Sequence, residues 1–186
     1  MKISFSEISN WEEFEDLATS FFEKLSRDKN DAIDVFVEPS GKGSDGGRDI
    51  LVTIKVNDSF MTFTRKWVVQ CKFYDKDVTK SHLSDINIPS LISEYGADGY
   101  LLICRTGVTG PLSRQFEDLR KNCRNGNSYL IWRGSQFLDK LQEHDEIIER
   151  YFPKFHRIRS SNGKIEKNFD DLTKEFTLKL KQRLTE

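Results

Sequence analysis

Cysteine is scarce in this chain. Its three copies, Cys71, Cys104 and Cys123, are odd in number and widely spaced. They have no zinc-site spacing and read as the reduced thiols of a cytoplasmic protein. No run of about 18 apolar residues occurs, so no membrane-spanning helix is expected. The opening MKISFSEISNWEEFE lacks the apolar segment of a signal peptide. Internal repeats and low-complexity segments are absent as well. Net charge is nearly absent too: 29 Lys and Arg face 30 Asp and Glu. That balance excludes a binder working by bulk positive charge, but not a protein that segregates its charges.

The charges are segregated. Residues 1–50 carry 6 basic and 12 acidic side chains, and residues 151–186 carry 9 basic and 5 acidic. An acidic first quarter beside a basic remainder suits a metal site next to an anionic substrate. It equally suits a solvated acidic helix face with a basic tail. What the chain does have is enough for a core: 37% apolar residues, including 14 Phe and 3 Trp, in 186 residues. That length makes about one domain with a short appendage.

Periodicity places the elements. Trp11, Phe14, Leu17, Ala18, Phe21, Phe22 and Leu25 recur at helical spacing, predicting a helix over 10–26 capped by Ser9 or Asn10. DVFVE at 34–38 is a short strand stopped by Pro39, and a loop of turn formers, SGKGSDGG, follows. ILVTIKV at 50–56 is a strand, MTFT at 61–64 a hairpin return, and KWVVQCKFY at 66–74 a strand buried on both faces. Residues 79–95 read as helical with a kink or restart at Pro89. Then come a strand at 100–105, a helix at 112–124 opened by Pro111, a strand at 128–133 and a helix at 135–150. This order predicts an α/β layer fold with helices on both faces of a mixed sheet. Residues 1–156 form the domain. Residues 157–164 read as a linker, and Ile165, Phe169, Leu172, Phe176 and Leu180 mark a final amphipathic helix with a basic end.

One constellation carries chemistry. Gln70 and Lys72 are two apart on a strand and project from one face. Two polar side chains in so apolar a strand are costly unless paired or coordinated, and Asp49, at the entry of the neighbouring strand, gives them a partner. The Asp49 carboxylate, the Gln70 oxygen and the Cys71 carbonyl form an oxygen set suited to a hard divalent cation. Lys72 is placed to orient or activate a water, or to balance charge in a phosphodiester transition state. A purely structural Asp–Lys pair is the competing reading. On the first helix Glu15 is the acid nearest the apolar stripe, roughly 80° away. Asp45 adds a second acid in the glycine-rich loop. That loop lacks the Gly-Lys-Ser/Thr ending of a nucleotide-binding loop and leads into a strand, so a nucleotide reading is weak. Lys42, Lys76, Lys80, Arg105 and Arg114 flank the strand ends, where a DNA backbone would run, and His82 is placed to contact a phosphate. Each of these six also reads as an ordinary surface residue.

At WEEFEDLA (11–18), GSDGGRDI (43–50), VVQCKFY (68–74), YLLICRTGVT (100–109) and YLIWRGSQFLDKL (129–141) the sequence resembles the Mrr-like branch of the PD-(D/E)xK nuclease superfamily. The resemblance spans about residues 10–145. It implies a restriction-endonuclease-like core, a mixed sheet of about four or five strands flanked by helices. It also implies Mg2+-dependent cleavage of double-stranded DNA, with Mn2+ substituting. It maps Asp49 to the first catalytic acid, Gln70 and Lys72 to the second half of the motif, and Glu15 to the first-helix acid. Arg48 stands where the superfamily pattern has proline, and Gln70 replaces an acid, which removes one negative charge from the metal site. Relatives of this kind act in defence against foreign DNA, often fused to sensor or ATPase modules, so a homo-oligomer or a larger protein is expected. A non-catalytic nuclease-fold module and a structure-selective junction nuclease are the alternatives.

Overall fold

The structure, a computed structural model, describes residues 2–27, 33–40, 46–57, 60–123 and 125–161. Five strands form one sheet in the order β1-β2-β3-β4-β5: β1 (Ile33–Pro39), β2 (Ile50–Asn57), β3 (Thr62–Lys72), β4 (Gly99–Cys104) and β5 (Ser128–Trp132). The pairings β1–β2 and β2–β3 are antiparallel, whereas β3–β4 and β4–β5 are parallel. The sheet is therefore mixed and flanked by helices, as expected.

Helix α1 (Trp11–Arg27) starts where Asn10 accepts the Glu13 amide at 2.8 Å, and the Glu13 carboxylate reaches back to the Ser9 amide at 2.6 Å. It buries Phe14, Leu17, Ala18, Phe21 and Phe22 against Val35, Val52, Val69 and Leu101. Trp11 departs from the expected stripe and is 58% exposed. The opposite face of the sheet packs Leu51, Val68, Tyr100 and Leu102 against α2 (Ile88–Glu94) and α3 (Gly110–Asn122). Pro111 sits in the first turn of α3, where a missing amide hydrogen costs nothing.

Several boundaries differ from the sequence reading. The segments 61–64 and 66–74 are one strand, β3: a single 11-residue strand pairs with β2 from Thr62 to Val69. The stretch 79–95 is a short 3-10 turn at Lys80–Leu83 followed by α2, which restarts at an Asn87 cap with Pro89 in its first turn. The helix expected over 135–150 is two helices, α4 (Gly134–Leu141) and α5 (Asp145–Tyr151). The break returns Ile147, Ile148 and Tyr151 to α1, where the Tyr151 hydroxyl donates to Asp16 at 2.5 Å. The stretch read as a linker from 157 is helical through 161, continuing a turn that starts at 153. The amphipathic segment 165–180 lies outside the described residues. Among the described residues no helix is long and apolar enough to cross a membrane.

Candidate active site

The site is built where β3 outruns β2. Asp49 precedes the first residue of β2 and still behaves as a rung of the sheet. Its amide donates to the Val69 carbonyl at 3.0 Å, and its carbonyl accepts from the Ser40 amide at 2.8 Å. One rung further along, β2 has no residue to offer. The Asp49 carboxylate fills the gap by accepting the Cys71 amide at 2.6 Å. In a strand the amide and carbonyl of one residue point to the same side. The Cys71 carbonyl therefore also faces the Asp49 side, with no strand residue opposite it.

The approach to Asp49 depends on glycine. Gly46 and Gly47 hold φ values of 63° and 99°, in the left-handed region. A Cβ on Gly47 would lie 2.6 Å from the Ile86 side chain. Arg48, at the proline position of the superfamily pattern, lays its guanidinium over the Tyr95 ring at 4.7 Å.

Gln70 is the one polar side chain in the core, 3% exposed. Its Oε1 accepts the Tyr100 hydroxyl at 2.5 Å. Burial, together with the nearby Asp49 charge, pushes the Tyr100 phenol well above its ordinary range, so it stays a donor. A carbonyl oxygen has two lone pairs, and this bond uses one. Gln70 shares the Tyr100 side of the sheet, whereas Val69 and Cys71 face α1. Sequence reasoning missed Tyr100. The available signal was a phenol inside the apolar run YLLIC, where a buried hydroxyl needs a partner.

Glu15 arrives from α1, on the other side of β3 from Gln70, and meets Asp49 and Lys72 at the end of the sheet. Its pKa rises from 4.5 to about 7, first because burial penalises its charge and then because Asp49 repels it, while Lys72 pulls the other way. Its neighbours Glu12 and Asp16 are exposed, so among these acids the helical periodicity singled out the one that reaches the sheet. The Cys71 thiol is pushed well up by burial and by Asp49, which leaves it protonated and makes the backbone carbonyl its usable donor.

The remaining candidates divide. Lys42 and Asp45 lie outside the described residues. Arg105 stacks on Phe73 at 4.4 Å and is paired with Asp75, so its charge is already engaged. His82 accepts the Thr79 amide through Nδ1 at 3.2 Å and stacks on Tyr74 with ring centroids 4.2 Å apart. Lys76, Lys80 and Arg114 are exposed. The loops after β3 and β4 are tied together: Val78 donates to the Gly107 carbonyl and accepts from the Thr109 amide, both at 2.9 Å, and the Thr106 hydroxyl donates to the Lys76 carbonyl. Lys76, Lys80 and Arg105 therefore sit on one joined rim beside Lys72.

Among the described residues no three His, Cys, Asp or Glu side chains cluster to hold an ion. The donors that do converge are oxygens: two carboxylates, from Asp49 and Glu15, with the Cys71 carbonyl between them. That set fits Mg2+, which takes one or two carboxylates and keeps several waters. A positive ion there would also relieve the repulsion that raises Glu15.

A sequence profile of the restriction endonuclease family Mrr_cat matches residues 7–131. Among solved structures, the DNA modification-dependent restriction endonuclease AspBHI aligns with a TM-score of 0.52 at 14% identity, over 80% of this chain and 35% of that one. The MspJI restriction endonuclease in complex with a 27-mer oligonucleotide aligns with a TM-score of 0.47 at 13% identity, over 69% of this chain and 27% of that one. The chain thus spans about a third of the length of AspBHI, and the likeness is one of fold. No curated protein matches. The profile runs from the turn before α1 through β4 and into β5, enclosing Glu15, Asp49, Gln70 and Lys72, and on that match the chain belongs to the Mrr_cat restriction endonuclease family of DNA-cleaving nucleases.

Proposed function

We propose that this chain is a Mg2+-dependent endonuclease domain that hydrolyses phosphodiester bonds of double-stranded DNA by water attack, with Mn2+ able to substitute. The observation that carries the reading is the Asp49 carboxylate, fixed on the Cys71 amide at the sheet end and electrostatically coupled to Glu15 beside Lys72. Nucleases of this fold generally use divalent metal ions. The ion would be held by Asp49, the Cys71 carbonyl and Glu15, with the second lone pair of the Gln70 oxygen and the Asp45 carboxylate as further donors. When bound, such an ion polarises a phosphate oxygen and lowers the pKa of a coordinated water. Asp49 fixes the position of the scissile group by its bond to the β3 backbone. Lys72 orients the attacking water and offsets charge on the phosphate. Lys42, Lys76, Lys80, His82, Arg105 and Arg114 carry the DNA backbone past the site.

No covalent enzyme intermediate is required. Cleaving two strands calls for two sites, so the working unit is a dimer or an assembly with further modules. In this reading the chain is the effector domain, over residues 1–156, of a larger cytoplasmic protein that defends against foreign DNA. Plasmid incubated with Mg2+ or Mn2+ tests the chemistry. Wild type nicks, and EDTA, Asp49→Ala and Lys72→Ala each abolish nicking. Equal nicking by both variants would refute the assignment.

A second reading, a non-catalytic nuclease-fold module, is favoured by one observation: the Gln70 oxygen is buried and already bonded to Tyr100. Calorimetric titration with Mn2+ separates the two. Saturable binding that Asp49→Ala removes supports the nuclease, and its absence supports the module.

A further inference from the structure

We infer that the apolar groove on the α1 face of the sheet, remote from Asp49, is the seat of this chain's own segment 165–180. The groove is a cavity of about 400 Å³ between the second half of α1 and the α4–α5 turn. Apart from Lys140, Glu143 and His144 its lining is apolar, with Leu25, Ile54, Trp67, Leu130 and Trp132 exposing part of their surface to it. Leu130 is 38% exposed on the edge strand β5. The opposite face of the sheet has no such gap over these strands, because α2 and α3 cover β3, β4 and β5 there. An apolar hollow over a sheet is unfavourable in water and is normally covered.

The path of the chain selects the occupant. The helical run 153–161 is anchored at its start, where the Lys154 and Phe155 amides donate to the Glu7 carboxylate at 2.8 and 3.1 Å. Near its end Arg159 pairs with Asp145, the residue after His144 of the groove lining. The described chain thus stops two residues beyond a contact at the groove rim. Residues 162–164 (Asn-Gly-Lys) span at most about 10 Å, enough to turn back over the sheet. Next in sequence come Ile165, Phe169, Leu172, Phe176 and Leu180, spaced as one helical face. The cavity has room for a few large side chains, and the aromatic Phe169 with Leu172 form the first cluster able to reach it. A segment tethered at the rim competes at high effective concentration against any partner in solution.

Amide hydrogen exchange on the full chain tests this. In the wild type, residues 165–180 should exchange at least roughly ten-fold more slowly than in the Phe169→Asp/Leu172→Asp double variant. Leu130→Glu, on the groove side and distant from the site, should release the segment equally. Plasmid nicking by Leu130→Glu should stay at the wild-type level, so failure of this inference and failure of the nuclease reading are distinguishable. Protection should not change on dilution. The inference is overturned if the segment exchanges as fast in the wild type as in the double variant. It is also overturned if Leu130→Glu leaves protection intact, or if protection falls on dilution together with a dimer in light scattering, which would make a second copy the occupant.

Discussion

The two halves of β3 share one backbone and differ in almost everything else. Thr62–Arg65 are exposed on a two-stranded ribbon with β2, whereas Val68–Cys71 are buried between β2 and β4 with helices on both sides. In the exposed half a polar side chain costs nothing, so its polar residues carry no structural message. In the buried half each polar group needs a partner, and each has one: Gln70 has Tyr100, and the Cys71 amide has Asp49. The site forms at the buried end because only there does burial force polar groups into fixed geometry.

Replacing Asp49 gives the largest effect. Asp49→Ala and Asp49→Asn should both lower plasmid nicking at least about a hundred-fold, since both lose the charge. Stability should separate them. Alanine strands the buried Cys71 amide at about 1–3 kcal/mol, while asparagine still accepts it, as urea denaturation would show. A Tm for Asp49→Ala equal to wild type would mean that the carboxylate is not a rung of the sheet.

Next is the Gln70–Tyr100 pair. Tyr100→Phe should cost about 1–3 kcal/mol by leaving the amide oxygen unsatisfied, and adding Gln70→Leu should recover most of that loss. Additive effects in that double-mutant cycle would show that the bond carries no coupling.

Glu15 follows. Its folded pKa, about 7, lies above the ordinary 4.5, so the folded state holds a proton that the unfolded state releases earlier. Its stabilising contribution is full below pH 4.5 and is lost as pH rises through 7. Without divalent ions, Glu15→Gln should therefore be more stable than wild type at pH 8, by about 1 kcal/mol after allowance for solvent screening, and the gain should vanish below pH 4.5. Denaturation midpoints at the two pH values check the sign. The smallest effect belongs to the exposed half: Phe63→Thr should change stability by less than about 0.5 kcal/mol.

The same contrast explains what could be read from sequence. The strands of the buried region were legible because apolar runs stand out, and Glu15 was singled out because helical periodicity fixes its angle. The division of β3 into two pieces followed hydropathy: side chains change from exposed to buried at Lys66–Trp67, but the hydrogen-bond ladder continues. The break between α4 and α5 was illegible because Gln142–His144 contain neither glycine nor proline, and tertiary packing onto α1 makes the turn. At the candidate site the residue types were legible and their partners were not. That Asp49 bonds a backbone amide, that Tyr100 holds Gln70, and that Gln70 and Glu15 lie on opposite sides of β3 depend on register between distant segments.

The Asp49–Cys71 bond has a further consequence for assembly. A slip of one residue between β2 and β3 would turn Gln70 toward α1 and expose the buried face of the strand to the wrong layer. It would also move the Cys71 amide out of reach of the carboxylate. The bond therefore acts as a registration pin: only the correctly aligned hairpin closes it. Mispaired chains that escape this check would lack a cation pocket altogether, so a folding error yields an inert protein rather than a misdirected nuclease.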